Sequence, residues 1–141
     1  MSLSLEIITP EGVAWKGQDL SMVTLPASGG EVGIMAGHIP LITMLDEGAV
    51  LITDSSGKTE SIAIDKGYAR CMGDVVSVLT EAAVNVAKLT DEDIANAKQM
   101  AVKAAEAARH SPSIDPDELD RLDALVRFTF AQELAKAKKK N

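Results

Sequence analysis

The side chains that could act in catalysis or bind a metal are few in this sequence and lie far apart. The two histidines, His38 and His110, are 72 positions apart, and neither has a second histidine or a cysteine at the spacing of a metal site. The single Cys71 lies in an apolar stretch, which favours a buried free thiol. Nothing in the local sequence pairs it with His38 as nucleophile and base. The sequence therefore predicts no catalytic residue and no metal site.

A glycine-rich segment at residues 29–33 resembles a phosphate loop only in composition. It lacks the Gly-Lys-Ser/Thr ending and does not open a helix, so phosphate binding is not expected. From there to Leu41 the only ionisable side chains are Glu31 and His38. Two interpretations stay open: a strained connection between sheets, or a contact surface for another protein.

Clustered acidic residues also have ordinary explanations. Asp46 and Glu47 are expected to lie in a solvated turn, and residues 91–93 at the start of a helix. Residues 1–86 carry the whole net charge of −7, with four basic and eleven acidic side chains, while residues 87–141 carry ten of each. Nucleic-acid and anionic-membrane partners both require basic surfaces, so neither is predicted.

Composition changes sharply near Val86 and divides the chain into residues 1–86 and 87–141. All ten glycines lie in the first part, where short apolar runs are separated by turn signals at intervals near ten residues. This spacing is typical of a sandwich or barrel. The predicted strands cover residues 3–7, 21–25, 41–45, 50–53, 59–64, 68–72 and 75–79. No apolar run of about 18 residues exists, so no membrane insertion is expected, and no signal peptide is evident.

The second part has the pattern of two helices. Thr90 and Asp93 predict a capping box for a first helix that ends near Arg109, and Asp115 with Pro116 predicts the start of a second. The short connection implies an antiparallel hairpin. Apolar residues at helical spacing predict the inner faces: Ile94, Ala97, Ala101, Ala104 and Ala108 on the first helix, and Leu119, Leu122, Val126, Phe130, Leu134 and Ala137 on the second.

The alanine-rich face of the first helix buries little apolar surface. Each buried methylene contributes only about 0.8 kcal/mol, so alanine contacts are weak, while the helical propensity of both segments is high. A hairpin that opens or docks elsewhere and a hairpin permanently closed on the sandwich both fit this composition.

Residues 30–43 carry a family resemblance. They resemble the pattern G-E-[LIV]-G-I-x-x-G-H-x-P-L-[LIV]-T of epsilon subunits of F-type ATP synthases. Residues 5–11, 62–68 and 74–83 are similar to the opening and closing strands of that family, so the resemblance extends over essentially the whole chain. It implies an α+β fold in two parts, a flattened ten-stranded β-sandwich followed by an antiparallel two-helix hairpin.

The resemblance also implies a function without catalysis. The chain would be a rotor subunit in the central stalk, binding the gamma subunit and the ring of c subunits through the sandwich, and would couple proton-driven rotation to ATP synthesis. Glu31 and His38 match the loop that faces the c ring. The implied location is peripheral, on the cytoplasmic face of a bacterial inner membrane; a mature organellar chain would look the same.

The hairpin would be regulatory. In this family it can extend along gamma to the alpha/beta catalytic head and block ATP hydrolysis. The basic residues implied to contact the beta subunit are Arg121, Arg127, Lys136 and Lys138.

Some relatives also bind ATP on the closed hairpin, through a motif of the form [IL]-D-x-x-R-A. Here Ala95 replaces the acidic residue, Lys98 the arginine and Gln99 the alanine. Lysine cannot form the planar two-point contact that arginine makes with phosphate. These departures argue against ATP as a ligand, and hence against the alternative of a nucleotide-sensing module.

Overall fold

The computed structural model describes residues 2–140, with side chains described over residues 2–137. Within this range nine β-strands precede two α-helices, so the expected α+β class is confirmed. The strands are β1 (Leu3–Thr9), β2 (Gly12–Ala27), β3 (Gly30–Ile34), β4 (Leu41–Leu45), β5 (Gly48–Asp54), β6 (Thr59–Ile64), β7 (Gly67–Met72), β8 (Val75–Thr80) and β9 (Ala83–Asn85). A 3₁₀ turn (Val86–Lys88) leads into the helices α1 (Asp91–Arg109) and α2 (Pro116–Lys140).

The 16-residue strand β2 belongs to both layers of the sandwich. Its first half pairs with β1, and its second half pairs with β3 and β5. The change occurs around Asp19, a non-glycine residue with a positive φ of 59°, beside an irregularity in the β2–β5 register. One layer is thus β4-β7-β8-β1-β2 and the other is β3-β2-β5-β6-β9. The resemblance implies ten strands, and ten are obtained when β2 is counted once in each layer.

The core between the two layers is aliphatic. Alternate residues of β1, Leu3, Leu5 and Ile7, are almost wholly buried, as the period-two pattern predicted. The largest cluster of buried residues joins both layers and contains no residue of α1 or α2. The sandwich therefore has a complete core of its own.

The sheets differ from the sequence prediction in three places, one of which is the short strand β9, which was not predicted. Residues 30–34, expected in a loop, form β3, because Val32 and Ile34 can point inward while β3 pairs along the second half of β2. The first half of β2 was also missed, since most of its side chains are exposed and give no alternation.

Both helices begin as predicted. The Thr90 hydroxyl accepts from the Asp93 N–H at 3.0 Å, and the Asp93 carboxylate accepts from the Thr90 N–H at 3.1 Å. Asp115 accepts from the N–H of Asp117 at 3.0 Å, with Pro116 in the first helical position. Neither described helix is long and apolar enough to cross a membrane.

The hairpin is closed, with α2 lying on β5 and β6 and α1 packing on α2. The predicted inner faces are partly wrong. On α1, Ala97 and Ala104 are exposed and Ala105 is buried instead. On α2, Phe130 and Leu134 are 50% and 47% exposed, and the residues buried are Phe128, Thr129, Ala131 and Ala135. The reason is that α2 must face the sheet and α1 simultaneously, which rotates its buried side away from the stripe of largest side chains.

Candidate functional site

The predicted contact residues Glu31 and His38 lie at opposite ends of the β3 and β4 strands. Glu31 pairs with Pro26 next to the β2–β3 turn, close to the end of β4, where Ala27 pairs with Leu45. His38 precedes the beginning of β4. Four strand steps of about 3.3 Å separate the two ends of β4, or about 13 Å. The structure therefore does not bring these two side chains into one cluster.

The loop around His38 is fixed by polar contacts. The Gly37 N–H donates to the Asp74 carboxylate at 2.9 Å, which ties the loop to the β7–β8 turn. Gly37 has a φ of +86°, a conformation that favours glycine. His38 Nδ1 lies 2.6 Å from the Ile39 carbonyl. Since a carbonyl only accepts, Nδ1 carries the proton in this contact.

The outer face of the β4-β7-β8-β1 layer is apolar and uncovered by the described chain. Ile42 and Met44 on β4 stand beside Arg70 and Tyr68 on β7, and Met72 on β7 stands beside Val75 on β8. Ile42 is 72% exposed, and Met44, Met72, Val75 and Tyr68 are also exposed. Contiguous exposed apolar side chains of this kind mark a protein-contact surface. Sequence reasoning missed this surface because its members are separated in the chain.

The sequence predicted that Glu47 lies in a solvated turn, and this prediction is wrong. Its side chain is only 13% exposed, and its carboxylate accepts from Arg127 Nε on α2 at 2.6 Å. Lys66 Nζ lies 3.9 Å from the same oxygen. The carboxylate is held against α2 because the β4–β5 turn lies beside the helix that covers β5.

The four basic residues expected to contact a beta subunit have different environments. Arg127 binds Glu47, and Lys136 Nζ donates to the carbonyls of Val86, at 3.3 Å, and Leu89. Arg121 is exposed and forms no ion pair within the described part of the chain. The side chain of Lys138 lies outside the described residues. Of the three cations whose side chains are described, two are thus bound within the chain.

Charge also organises the start of α1. The pKa of the Asp93 carboxyl lies below its usual range because of the hydrogen bonds with Thr90, with a further contribution from the positive charge of Lys136. Lys136 therefore stabilises the beginning of α1 as well as the connection before it.

Lys98, which stands where relatives with the ATP motif have arginine, has partners within the hairpin. Its Nζ lies 3.1 Å from the Glu133 carboxylate and 4.2 Å from the centre of the Phe130 ring. Ala95 and Gln99 are exposed on the same helix. The ammonium group therefore joins α1 to α2.

Groups able to do chemistry are not assembled anywhere in the described chain. No cluster of three or more His, Cys, Asp or Glu residues within residues 2–137 could hold a metal ion. Burial raises the pKa of the Cys71 thiol, and the nearby charge of Asp74 raises it further, which disfavours the reactive thiolate.

The chain is similar to known proteins along nearly its full length. Residues 2–86 match the family described as ATP synthase, Delta/Epsilon chain, beta-sandwich domain. The ATP synthase epsilon chain of Campylobacter lari is 44% identical over 93 residues, which cover 66% of this chain and 71% of that one. The epsilon chain of Campylobacter curvus is 32% identical over 125 residues, which cover 89% and 96%.

A solved structure shares the fold. A chain of the Euglena gracilis mitochondrial ATP synthase, in a structure of its OSCP/F1/c-ring part, matches with a TM-score of 0.74 and 23% identity, covering 96% of this chain and 81% of that chain. The β-sandwich agrees with the matched family model, and the solved chain shares the fold over 96% of this chain. This chain accordingly belongs to the epsilon-subunit family of F-type ATP synthases, whose members are non-catalytic components of the central stalk.

Proposed function

We propose that the chain couples rotation of a c-subunit ring to ATP synthesis in the alpha/beta head by binding the gamma subunit through the outer face of the β4-β7-β8-β1 layer. The observation that carries the proposal is the uncovered apolar surface of Ile42, Met44, Tyr68, Met72 and Val75. The opposite layer is covered by α2. One face is therefore occupied within the chain, and the other is available to a partner.

The chemistry of this surface suits a lasting contact. Methionine, isoleucine and tyrosine supply large apolar area, and a stable interface requires an apolar centre with a polar rim. Arg70 lies among these side chains and can bind an acidic group of the partner. A rotor contact that transmits torque needs such an interface, because partners that dissociate during rotation would lose coupling.

Contact with the c ring is assigned to Glu31, with His38 as a second contact. Glu31 is exposed next to the tight β2–β3 turn, on a strand held along β2. A carboxylate presented there suits basic groups on c-subunit loops. The similar Euglena chain comes from a structure that includes a c-ring, which supports this partner. The chain would then sit peripherally, on the cytoplasmic face of a bacterial inner membrane.

The hairpin is proposed to inhibit ATP hydrolysis when it extends to the catalytic head. Two observations support a second position for α2. The seam that holds it to the sandwich contains Ala49, Ala63 and Ala135, which bury little area. In addition, Phe130 and Leu134 remain about half exposed when the hairpin is closed, so α2 keeps an apolar stripe for another partner.

ATP is not proposed as a ligand of this chain. Lys98 is bound to Glu133 and covers Phe130, which supports a role in joining the helices.

The gamma-binding face can be tested by charge insertion. Ile42→Asp and Met44→Asp are both expected to weaken capture of purified gamma subunit by at least about tenfold, because each would bury an unpaired carboxylate. Met100→Asp is the matched control, since Met100 is also exposed but lies on α1, outside this face. Unchanged gamma binding by both variants, with the control also unchanged, would refute the assignment.

A further inference from the structure

Glu47 joins the sandwich to α2 across 80 positions of sequence. Its carboxylate lies between the Arg127 guanidinium at 2.6 Å and the Lys66 ammonium at 3.9 Å. The Glu47 side chain is 13% exposed, and the Arg127 side chain is 45% exposed. A largely buried carboxylate that loses its cation is left poorly solvated, so this contact favours the closed hairpin more than a fully exposed pair would.

 Lys136 makes the second connection between α2 and the rest of the chain, and its partners are backbone carbonyls. Its Nζ donates to the carbonyl of Val86 at 3.3 Å and to that of Leu89. These carbonyls belong to the segment between the sandwich and α1, so Lys136 fixes the end of α2 to the connection that would have to move when the hairpin opens.

We infer that Glu47 and the carbonyls of Val86 and Leu89 form a latch, which holds the hairpin closed by binding Arg127 and Lys136. The inference rests on the proposed inhibitory function of the extended hairpin, together with the contact of these two cations with the beta subunit that the family resemblance implies. One guanidinium or ammonium cannot occupy both sites. In the closed hairpin Arg127 and Lys136 are therefore not available to the beta subunit. Binding of these cations to the catalytic head competes directly with the latch.

The latch matters because the apolar contact around Ala135, next to Lys136, is small. Ala135 meets Ala49, Ala63 and Val86, and none of these side chains is larger than valine. With so little apolar area between α2 and the sheet at this point, polar contacts have a large share in the closed-to-open ratio. Glu47 thus acts as a positioning residue for the hairpin.

The position of the hairpin can be measured in the full-length chain. Spin labels on Ser55→Cys in the β5–β6 turn and Asp120→Cys on α2, in a Cys71→Ala background, report the distance between sandwich and hairpin. We expect Glu47→Gln and Arg127→Gln each to raise the ratio of long to short distances about fivefold. The double variant should shift no further than the single ones, because both remove the same contact.

Arg121→Gln is the matched control, since Arg121 is a basic residue of the same helix without an ion pair in the described chain. It should leave the distance distribution unchanged. If Glu47→Gln and Arg127→Gln also leave it unchanged, or if their effects simply add, the latch is overturned.

Hydrolysis by the assembled complex separates this inference from the proposed function. Glu47→Gln should lower ATP hydrolysis, because it releases the hairpin while leaving Arg127 and Lys136 intact. If the distances shift but hydrolysis does not, the latch stands and the inhibitory role fails. If the distances do not shift, the latch fails whatever the hydrolysis rate.

Discussion

At the scale of single residues, Ser61 has an unsatisfied hydroxyl. Its oxygen is the one buried side-chain polar atom of the described chain with no hydrogen-bond partner. It is fully buried on β6. The neighbouring Ile62 and Ile64 point into the core, so Ser61 points to the outer face, which α2 covers. A hydroxyl that loses water without gaining a partner opposes burial. Ser61 therefore favours the open hairpin, in which it can be hydrated.

Replacement by alanine should remove this penalty. We expect Ser61→Ala to stabilise the closed chain by about 1 kcal/mol, measured as a higher urea midpoint with an unchanged slope. Ser77→Ala is a control with the opposite expected effect, because the Ser77 hydroxyl donates to the Glu6 carboxylate at 3.0 Å. Loss of this hydrogen bond should lower the urea midpoint. A lower midpoint for Ser61→Ala would show that the hydroxyl has a stabilising partner.

Asp54 provides a prediction of pH dependence. Its carboxylate accepts from the Ser56 hydroxyl at 2.6 Å and from the N–H groups of Ser56 and Lys58, and these hydrogen bonds lower its pKa. Because the folded pKa is below the unfolded one, the stabilisation is present above the unfolded pKa, near 4, and is lost as pH falls through the folded value. Asp54→Ala should lower the melting temperature at pH 7 and reduce its decline below pH 4. A decline as steep as that of the parent chain would contradict this account.

At the scale of elements, the sequence predicted the helix ends better than the helix faces. Capping depends on residues three positions apart, such as Thr90 and Asp93, so it is encoded locally. The buried face depends on what packs against the helix. Alanines occur on several sides of α1, so the sequence does not distinguish Ala104 from Ala105. On α2, contact with both the sheet and α1 overrides the stripe that contains Phe130.

The contact between the two helices also has a testable polar component. Lys98→Met should weaken α1–α2 packing by about 1 kcal/mol, because it removes both the ion pair with Glu133 and the contact with the Phe130 ring. Hydrogen exchange of α1 amides in the full-length chain should rise accordingly. Lys103→Met, on an exposed position of the same helix, should leave exchange unchanged. If the α1 amides exchange at the same rate in Lys98→Met and Lys103→Met, Lys98 does not stabilise the contact between the two helices.

At the scale of the whole molecule, the two layers of the sandwich have different partners. One outer face carries the hairpin, and the other is apolar and uncovered. Sequence patterns could locate the strands but not this division, since the members of each face come from separate strands. The same limit explains Glu47: no local pattern indicates that a turn carboxylate meets Arg127, 80 positions away.

The boundary at residue 86 leads to the last prediction. The core cluster of the sandwich takes all its residues from positions 3–78, so removal of residues 87–141 deletes none of them. The deletion uncovers Ala49, Ala63 and Ser61, of which the alanines expose little apolar area and the serine gains water. Glu47 keeps Lys66 as a neighbour.

Residues 1–86 are therefore expected to fold alone and still bind gamma, with the Cys71 thiol protected from alkylation as in the full chain. Assembled complexes with the truncated chain should hydrolyse ATP faster. Rapid alkylation of Cys71 would show that the hairpin is needed for folding, and a folded fragment that fails to capture gamma would place gamma binding on the hairpin instead.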